Sequence, residues 1–123
     1  MRTGKAFVKE EFNVDMVDGI SIIRFNILRA TLNEAKSLKY TLDSLVTANH
    51  YKLIIDFSDS LFFDSAITSV LINVVKEVRK IKGDILTVTP KANIQSLFNK
   101  TGLSKIFKQF TSTEQALLGF SSN

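Results

Sequence analysis

The sequence predicts an α/β domain built on a mixed β-sheet, and three stretches carry that prediction. Asp18-Gly19 stands between two strand-like runs, Leu53 to Phe57 opens as an uninterrupted apolar run, and an apolar stripe at helical spacing extends from Ile67 to Ile81. Asp-Gly is the preferred two-residue hairpin turn, because both turn residues take positive φ. It makes the first two strands antiparallel. A run with two β-branched residues suits a central strand covered on both faces. A hairpin followed by strands alternating with helices gives a mixed sheet of about five strands and four helices.

Taken in order, residues 1 to about 6 are expected to fray. Phe12, Val14 and Met16 alternate with Asn13 and Asp15, which predicts a half-buried strand. Ile20 to Phe25 is the return strand, and Asn26 to Ala30 a loop. Thr31 and Glu34 fit a capping box. The stripe Ala35, Leu38, Leu42, Leu45 and Val46 carries the first long helix to about Ala48, and Asn49-His50 ends it. After the central strand, Asp64 is a good helix cap and Gly83 a good terminator for the second long helix. Asp84 to Thr89 is a further strand. Thr89-Pro90 reads as a helix start, a cap followed by proline at the first helical position. Thr101-Gly102 stops that helix, Ile106-Phe107 to Phe110 is a short last strand, and Ser112 with Gln115 caps a final helix packed through Ala116, Leu117 and Phe120. Ser121 to Asn123 is a loose tail. There is no repeat and no linker, so the chain reads as one domain with its core over about residues 10 to 120.

Composition narrows the function classes. The chain has 123 residues, 45% apolar and 23% charged, ordinary for a globular domain large enough to hold a core. No apolar run approaches the roughly 20 residues of a membrane span, and Met1 to Lys5 lacks a following apolar region, so neither membrane insertion nor a secretory signal is expected. With no cysteine, disulfides, thiolate metal sites and cysteine nucleophiles are excluded. This fits a cytoplasmic protein. The net charge of +4 comes from lysines spread along the chain, with mild clusters at Lys76-Arg79-Lys80-Lys82 and Lys100-Lys105-Lys108. Nucleic-acid binding needs a basic face with exposed aromatics interleaved. Here the phenylalanines fall at core positions, so solvated helix faces are the preferred reading.

The sites of possible chemistry are few. His50, the one histidine, has no nucleophile at a triad-like spacing. Asp56, Asp59 and Asp64 surround one loop at a strand end, where carboxylates can hold Mg²⁺. No phosphate-binding glycine loop accompanies them, so a turn residue and a helix cap are preferred for Asp59 and Asp64, and no metal or cofactor is expected. Phe62 and Phe63 are adjacent just before the cap. On an extended segment one faces the core as a staple residue and the other is free to anchor a partner, with burial of both under the first helix the equal alternative. Ser65 lies in the first helical turn, where open backbone N–H groups and the helix dipole favour negative charge. A phosphate there is tolerated by the helix and new to anything docked on it.

The stretch Lys52-Leu53-Ile54-Ile55-Asp56-Phe57-Ser58, then Phe63-Asp64-Ser65-Ala66 and an apolar helix, resembles the STAS domain (sulphate transporter and anti-sigma factor antagonist). The later segments agree in order: a strand at Ile85 to Val88, Pro90, Leu97-Phe98, Thr101-Gly102-Leu103, Ile106-Phe107 and Glu114-Gln115-Ala116-Leu117. The resemblance implies a non-enzymatic switch of the anti-sigma factor antagonist type. Its partner is an anti-sigma factor that is also a serine kinase. Phosphorylation at the helix start ends the binding, and a PP2C-type phosphatase reverses it. It implies Ser65 as the phosphoacceptor. Its partner contacts are Asn26, Leu28 and Arg29 on one loop and Ser60, Phe63, Asp64, Ser65, Ala66, Thr68 and Ser69 on the other segment.

The chain departs from the family pattern in places. Ala66 replaces the second hydroxyl of the usual pair, Ile67 and Ser69 replace two glycines, and Asn26-Ile27-Leu28-Arg29 replaces Gly-x-Leu-Asp. These departures fit a second reading, a degenerate STAS module that binds constitutively, such as a STAS-like subunit of a lipid-transport ABC complex. A third, a receiver domain phosphorylated on Asp56, rests on Ile54-Ile55-Asp56. It lacks the acidic pair that a receiver needs after its first strand.

Overall fold

The computed structural model describes residues 12–121. In chain order these form β1 (Phe12–Val17), β2 (Ile20–Phe25), β3 (Arg29–Ala30), α1 (Leu32–Thr47), β4 (Lys52–Asp56) and β5 (Phe62–Phe63). Then come α2 (Ser65–Lys80), β6 (Asp84–Val88), α3 (Ala92–Thr101), a 3-10 turn (Leu103–Lys105), β7 (Gln109–Phe110) and α4 (Thr113–Ser121). The main sheet has five strands in the order β1-β2-β4-β6-β7. β1 is antiparallel to β2, and the other pairs are parallel. Among the described residues the expected α/β architecture, with its N-terminal hairpin, mixed five-stranded sheet and four helices, is the one observed.

The hairpin forms as its turn residues dictate, with Asp18 at φ 50° and Gly19 at φ 80° and Val17 paired with Ile20. β4 is buried from Leu53 to Asp56 because both its faces are covered. On one face Leu53 and Ile55 meet Leu38 and Leu42 of α1, Leu71, Val74 and Val75 of α2, and Ile94 and Phe98 of α3. On the other, Ile54 joins Ile20, Ile22, Leu86 and Val88 under Ala116 of α4, with Leu117 and Phe120 packed at the margin. Ser112 Oγ accepts the Gln115 N–H at 3.1 Å, so the last helix is capped as its sequence predicts.

Four expectations are corrected. β1 is not half-buried: only Phe12 packs inward, its ring 5.1 Å from that of Phe25, because among the described residues no helix reaches over the outer strand to cover Val14 and Met16. Thr89-Pro90 does not start α3. The Thr89 N–H donates to the Phe110 carbonyl at 2.8 Å and prolongs the sheet, so the helix begins at Ala92. The last strand is confined to Gln109–Phe110, because the Ile106 and Phe107 N–H groups both bond back to the Leu103 carbonyl. The loop from Asn26 to Ala30 contains a strand, since Arg29 and Ala30 pair in parallel with Phe62 and Phe63. The fraying of residues 1 to 6 and the looseness of 122–123 fall outside the described residues, whereas Ser121 is the last residue of α4.

Gly83 does end α2, but not by taking a left-handed conformation. Lys82 takes that conformation, at φ 67°. The Gly83 N–H donates to the Val78 carbonyl at 2.7 Å. A Cβ on Gly83 would lie 2.3 Å from the Tyr51 carbonyl oxygen, because α2 returns to the sheet directly over the start of β4. Gly83→Ala is therefore expected to lower the unfolding free energy by about 1–3 kcal/mol, the usual range for overpacking, as read from the denaturant midpoint at unchanged slope.

Candidate functional site

The candidate site forms where β4 gives way to α2. Asp56 ends the strand, and its Oδ1 accepts the Ser58 N–H at 2.9 Å and the Ser58 hydroxyl. Its Oδ2 receives the Thr113 hydroxyl at the long distance of 3.5 Å. The chain is thereby turned at once, and Asp56 is a buried structural carboxylate. Phe57 drives into the core, and the Ser60 N–H closes the turn on the Phe57 carbonyl at 3.0 Å. Asp59 is exposed at the tip of that turn.

A clasp then joins this segment to the loop after β2. The Leu28 carbonyl accepts both the Leu61 N–H (2.8 Å) and the Phe62 N–H (3.0 Å), and the Asp64 N–H donates to the Ala30 carbonyl at 3.1 Å. Asn93 of α3 fixes the remaining side, donating from Nδ2 to the Leu61 carbonyl at 2.8 Å. The loop after β2 is itself anchored at its far end, where Glu34 Oε1 accepts the Thr31 N–H at 2.8 Å and the Thr31 hydroxyl at 2.9 Å. These bonds, the backbone N–H first, hold the Glu34 carboxyl below its ordinary value of 4.5.

α2 starts as its sequence predicts. Asp64 is extended at φ −97° and ψ −173°, and its Oδ1 accepts the Ala66 N–H at 3.0 Å and the Ile67 N–H at 3.4 Å. The Asp64 carbonyl accepts the Thr68 N–H at 3.2 Å and the Thr68 hydroxyl at 3.3 Å. The expectation of open N–H groups for a phosphate is therefore corrected, since the cap carboxylate already holds those of Ala66 and Ile67. Ser65 is the first helical residue and is exposed, and Ser69 is exposed one turn further on.

The residues assigned to the contact surface divide. Leu28, Arg29, Ser65 and Ser69 are exposed, while Asn26, Asp64, Ala66 and Thr68 are half-buried. Phe63 and Ser60 do not belong on that surface. Phe63 is 1% exposed and Ser60 is fully buried, its hydroxyl without a hydrogen-bond partner. The β3–β5 pairing explains the orientation. Ala30 and Phe63 share a register position and face the core, so Arg29 and Phe62 share the next and face outward. Phe62 takes the outer place assigned to Phe63, with the Arg29 guanidinium 5.0 Å from its ring centroid. Leu61, exposed and inside the stretch from Asp59 to Ser69 expected at the contact surface, forms an apolar rim with Leu28 and Phe62, and Leu32, also exposed, lies outside the expected surface. The signal for Leu32 was present, as a large apolar residue beside a cap position. His50 lies apart at the α1–β4 connection, its N–H bonded to the Leu45 carbonyl at 2.9 Å.

Fold and site together define an α/β domain of the STAS type, with a buried turn after the central strand and an exposed serine beside an aspartate cap. The chain belongs to the STAS domain family, whose model matches residues 11–116. A Thermotoga neapolitana protein provisionally assigned as an anti-sigma factor antagonist is 25% identical over 79 residues, covering 64% of this chain and 70% of that one. A crystal structure of a Thermotoga maritima protein with the same provisional assignment superposes with a TM-score of 0.80 at 22% identity, covering 88% of this chain and 92% of that one. The anti-sigma factor antagonist SpoIIAA in its unphosphorylated form matches with a TM-score of 0.66 at 16% identity, covering 91% of this chain and 98% of that one. The phosphorylated form of SpoIIAA from Bacillus gives 0.67 at 17%, covering 86% and 96%.

Two consequences are measurable. Asp64→Ala removes the cap and is expected to cost about 1 kcal/mol of stability, with Asp64→Asn losing less. Because the Glu34 carboxyl is held below 4.5 in the folded chain, its contribution is full above that value and is lost as pH falls through the lower folded value. Glu34→Gln is expected to flatten the acid limb of a stability–pH curve below about pH 4.5, read from urea midpoints.

Proposed function

We propose that this chain is an anti-sigma factor antagonist whose exposed loop surface docks on an anti-sigma factor with serine-kinase activity. Phosphorylation of Ser65 ends the docking, and a PP2C-type phosphatase restores it. The protein works by binding in the bacterial cytoplasm and carries out no reaction of its own. The observation that carries this reading is the placement of Ser65. It is exposed at the first position of α2, beside an Asp64 carboxylate that already occupies the Ala66 and Ile67 N–H groups. A phosphate brings roughly −1.5 to −2 charges. Here it has a carboxylate neighbour, and the Ala66 and Ile67 N–H groups of the first turn are already engaged, so its charge is turned outward to the partner.

The docking surface is the apolar rim of Leu28, Leu61 and Phe62, with Arg29 lying over Phe62. Burying a dianion beside such a rim costs far more than the roughly 1.4 kcal/mol that reduces affinity tenfold. SpoIIAA, solved in both phosphorylated and unphosphorylated forms, supports a phosphorylation cycle in this fold. One observation favours the second reading, a constitutively binding STAS module such as a subunit of a lipid-transport ABC complex. Ala66 stands where the family pattern carries a second hydroxyl, and it is half-buried.

Ser65→Asp and Ser65→Ala, compared by calorimetry against the cognate kinase, separate the two. The switch reading expects Ser65→Asp to bind at least about tenfold more weakly, and Ser65→Ala to bind like the wild type. Equal affinity of Ser65→Asp and wild type contradicts the switch and selects constitutive binding.

A further inference from the structure

We propose that β1 is a self-pairing edge through which two copies of this chain join their sheets. β1 is an outer strand of the sheet order, and among the described residues no strand pairs with its outer side. It is six residues long, without proline or lysine, two of the usual devices that blunt an edge. Its one charge, Asp15, is already paired with Arg24 at 3.7 Å.

The register of the hairpin fixes which backbone groups face outward. A two-residue turn makes Val17 and Ile20 the closing hydrogen-bonded pair. The same alternation makes Asp15 with Ile22 and Asn13 with Arg24 the inward-bonded pairs. The N–H and C=O groups of Met16, Val14 and Phe12 therefore point to the free edge. Their side chains share the face carried by Ile23 and Phe25; Phe12 packs against the core there, whereas among the described residues no helix covers Val14 and Met16, which are 40% and 48% exposed. The residues that offer hydrogen bonds outward are thus also the residues that offer apolar surface.

Self-complementarity singles out a second copy as the occupant. A two-fold axis perpendicular to the sheet leaves each side chain on its own face, so only positions of the same face meet. With Val14 opposite the second copy's Val14, Phe12 meets the second copy's Met16, and Asn13 meets the second copy's Asp15. One face is then apolar throughout, and the other sets an amide against a carboxylate. Sliding the pair by two residues toward the turn puts Asp15 opposite the second copy's Asp15, like charges that destabilise a ladder. Sliding the other way shortens the described ladder to Phe12–Val14. Because the joined strands run in opposite directions, the Ser65 surfaces of the two copies lie at opposite ends of one continuous sheet. The dimer is thus bivalent for any partner of that surface.

The chain contains no cysteine, so single-cysteine variants test the register directly. A hydrogen-bonded antiparallel pair places Cα atoms about 5.5 Å apart, within disulfide range. Val14→Cys is expected to oxidise to a covalent dimer, and Asp15→Cys to do so about tenfold more slowly, since its counterpart lies diagonally. Equilibrium sedimentation of the full chain is expected to show a reversible dimer. Val14→Lys and Val14→Pro are expected to raise the dissociation constant at least about tenfold, with a thermal midpoint unchanged at dilutions where the wild type is monomeric. The proline removes only the outward N–H and is tolerated on an edge. A wild type that stays monomeric at about 1 mM overturns the proposal, whether β1 is then bare or takes a strand of another protein. So does a dimer indifferent to both Val14 substitutions, or faster cross-linking through Asp15→Cys.

Discussion

The packing of Phe57, Phe63 and Phe98 sets what the C-terminal edge of the sheet can display. The Phe57 ring lies 5.3 Å from Phe63 and 5.8 Å from Phe98, and Phe63 lies 5.9 Å from Phe98. The contacts extend outward through Phe25 at 5.1 Å on one side and Phe107 at 6.4 Å on the other. Tilted and edge-to-face pairs of this kind contribute roughly 0.5–1.5 kcal/mol each beyond area burial. Phe57 and Phe63 stand at the two ends of the loop that leads to Ser65. With both ends driven inward, the short chain between them has to turn out, and Asp59, Leu61 and Phe62 become the surface.

The same constraint places the helix. Phe63 is buried with Ala30 at one register position, and that pairing brings Asp64 to the Ala30 carbonyl. Asp64 is then the residue from which α2 departs, its carboxylate over the first turn and its carbonyl at the foot of the fourth helical residue. Ile67, Leu71, Val74, Val75 and Val78 bury the inner stripe of that helix. Ser65 and Ser69 are left outside because the stripe fixes the rotation. A rigid floor, a hydrogen-bonded clasp and a capped helix thus hold a small polar and apolar surface in one place.

Much of this was legible in the sequence because the relevant signals are local. The positive φ of Asp18-Gly19, the Asp64 cap and the stripe of α2 each rest on a few residues and one periodicity. The parts that were not legible depend on contacts distant in sequence. A two-residue strand such as β3 has no period to read, and it exists only because Leu28 and Ala30 meet the segment after β4. Without that pairing, the inner and outer members of Phe62-Phe63 cannot be told apart, and Phe63 was accordingly assigned to the surface in place of Phe62. Thr89-Pro90 has the residues of a helix start, but the bond from Thr89 to the Phe110 carbonyl outweighs them. The exposure of Val14 and Met16 follows from how far the helix layer extends, which strand alternation does not record. The hydroxyl and cap chemistry at Asp64-Ser65 was readable, whereas the engagement of the Ala66 and Ile67 N–H groups follows from the side-chain geometry of the cap.

The central claim is that Ser65 is the residue through which this surface is switched. Its most direct test is intact-mass analysis with phosphopeptide mapping of the protein isolated from its own cells under several growth conditions. The account predicts a singly phosphorylated fraction with the phosphate on Ser65. A phosphate carried instead on Thr68 or Ser69, or a chain unmodified under every condition, would contradict it.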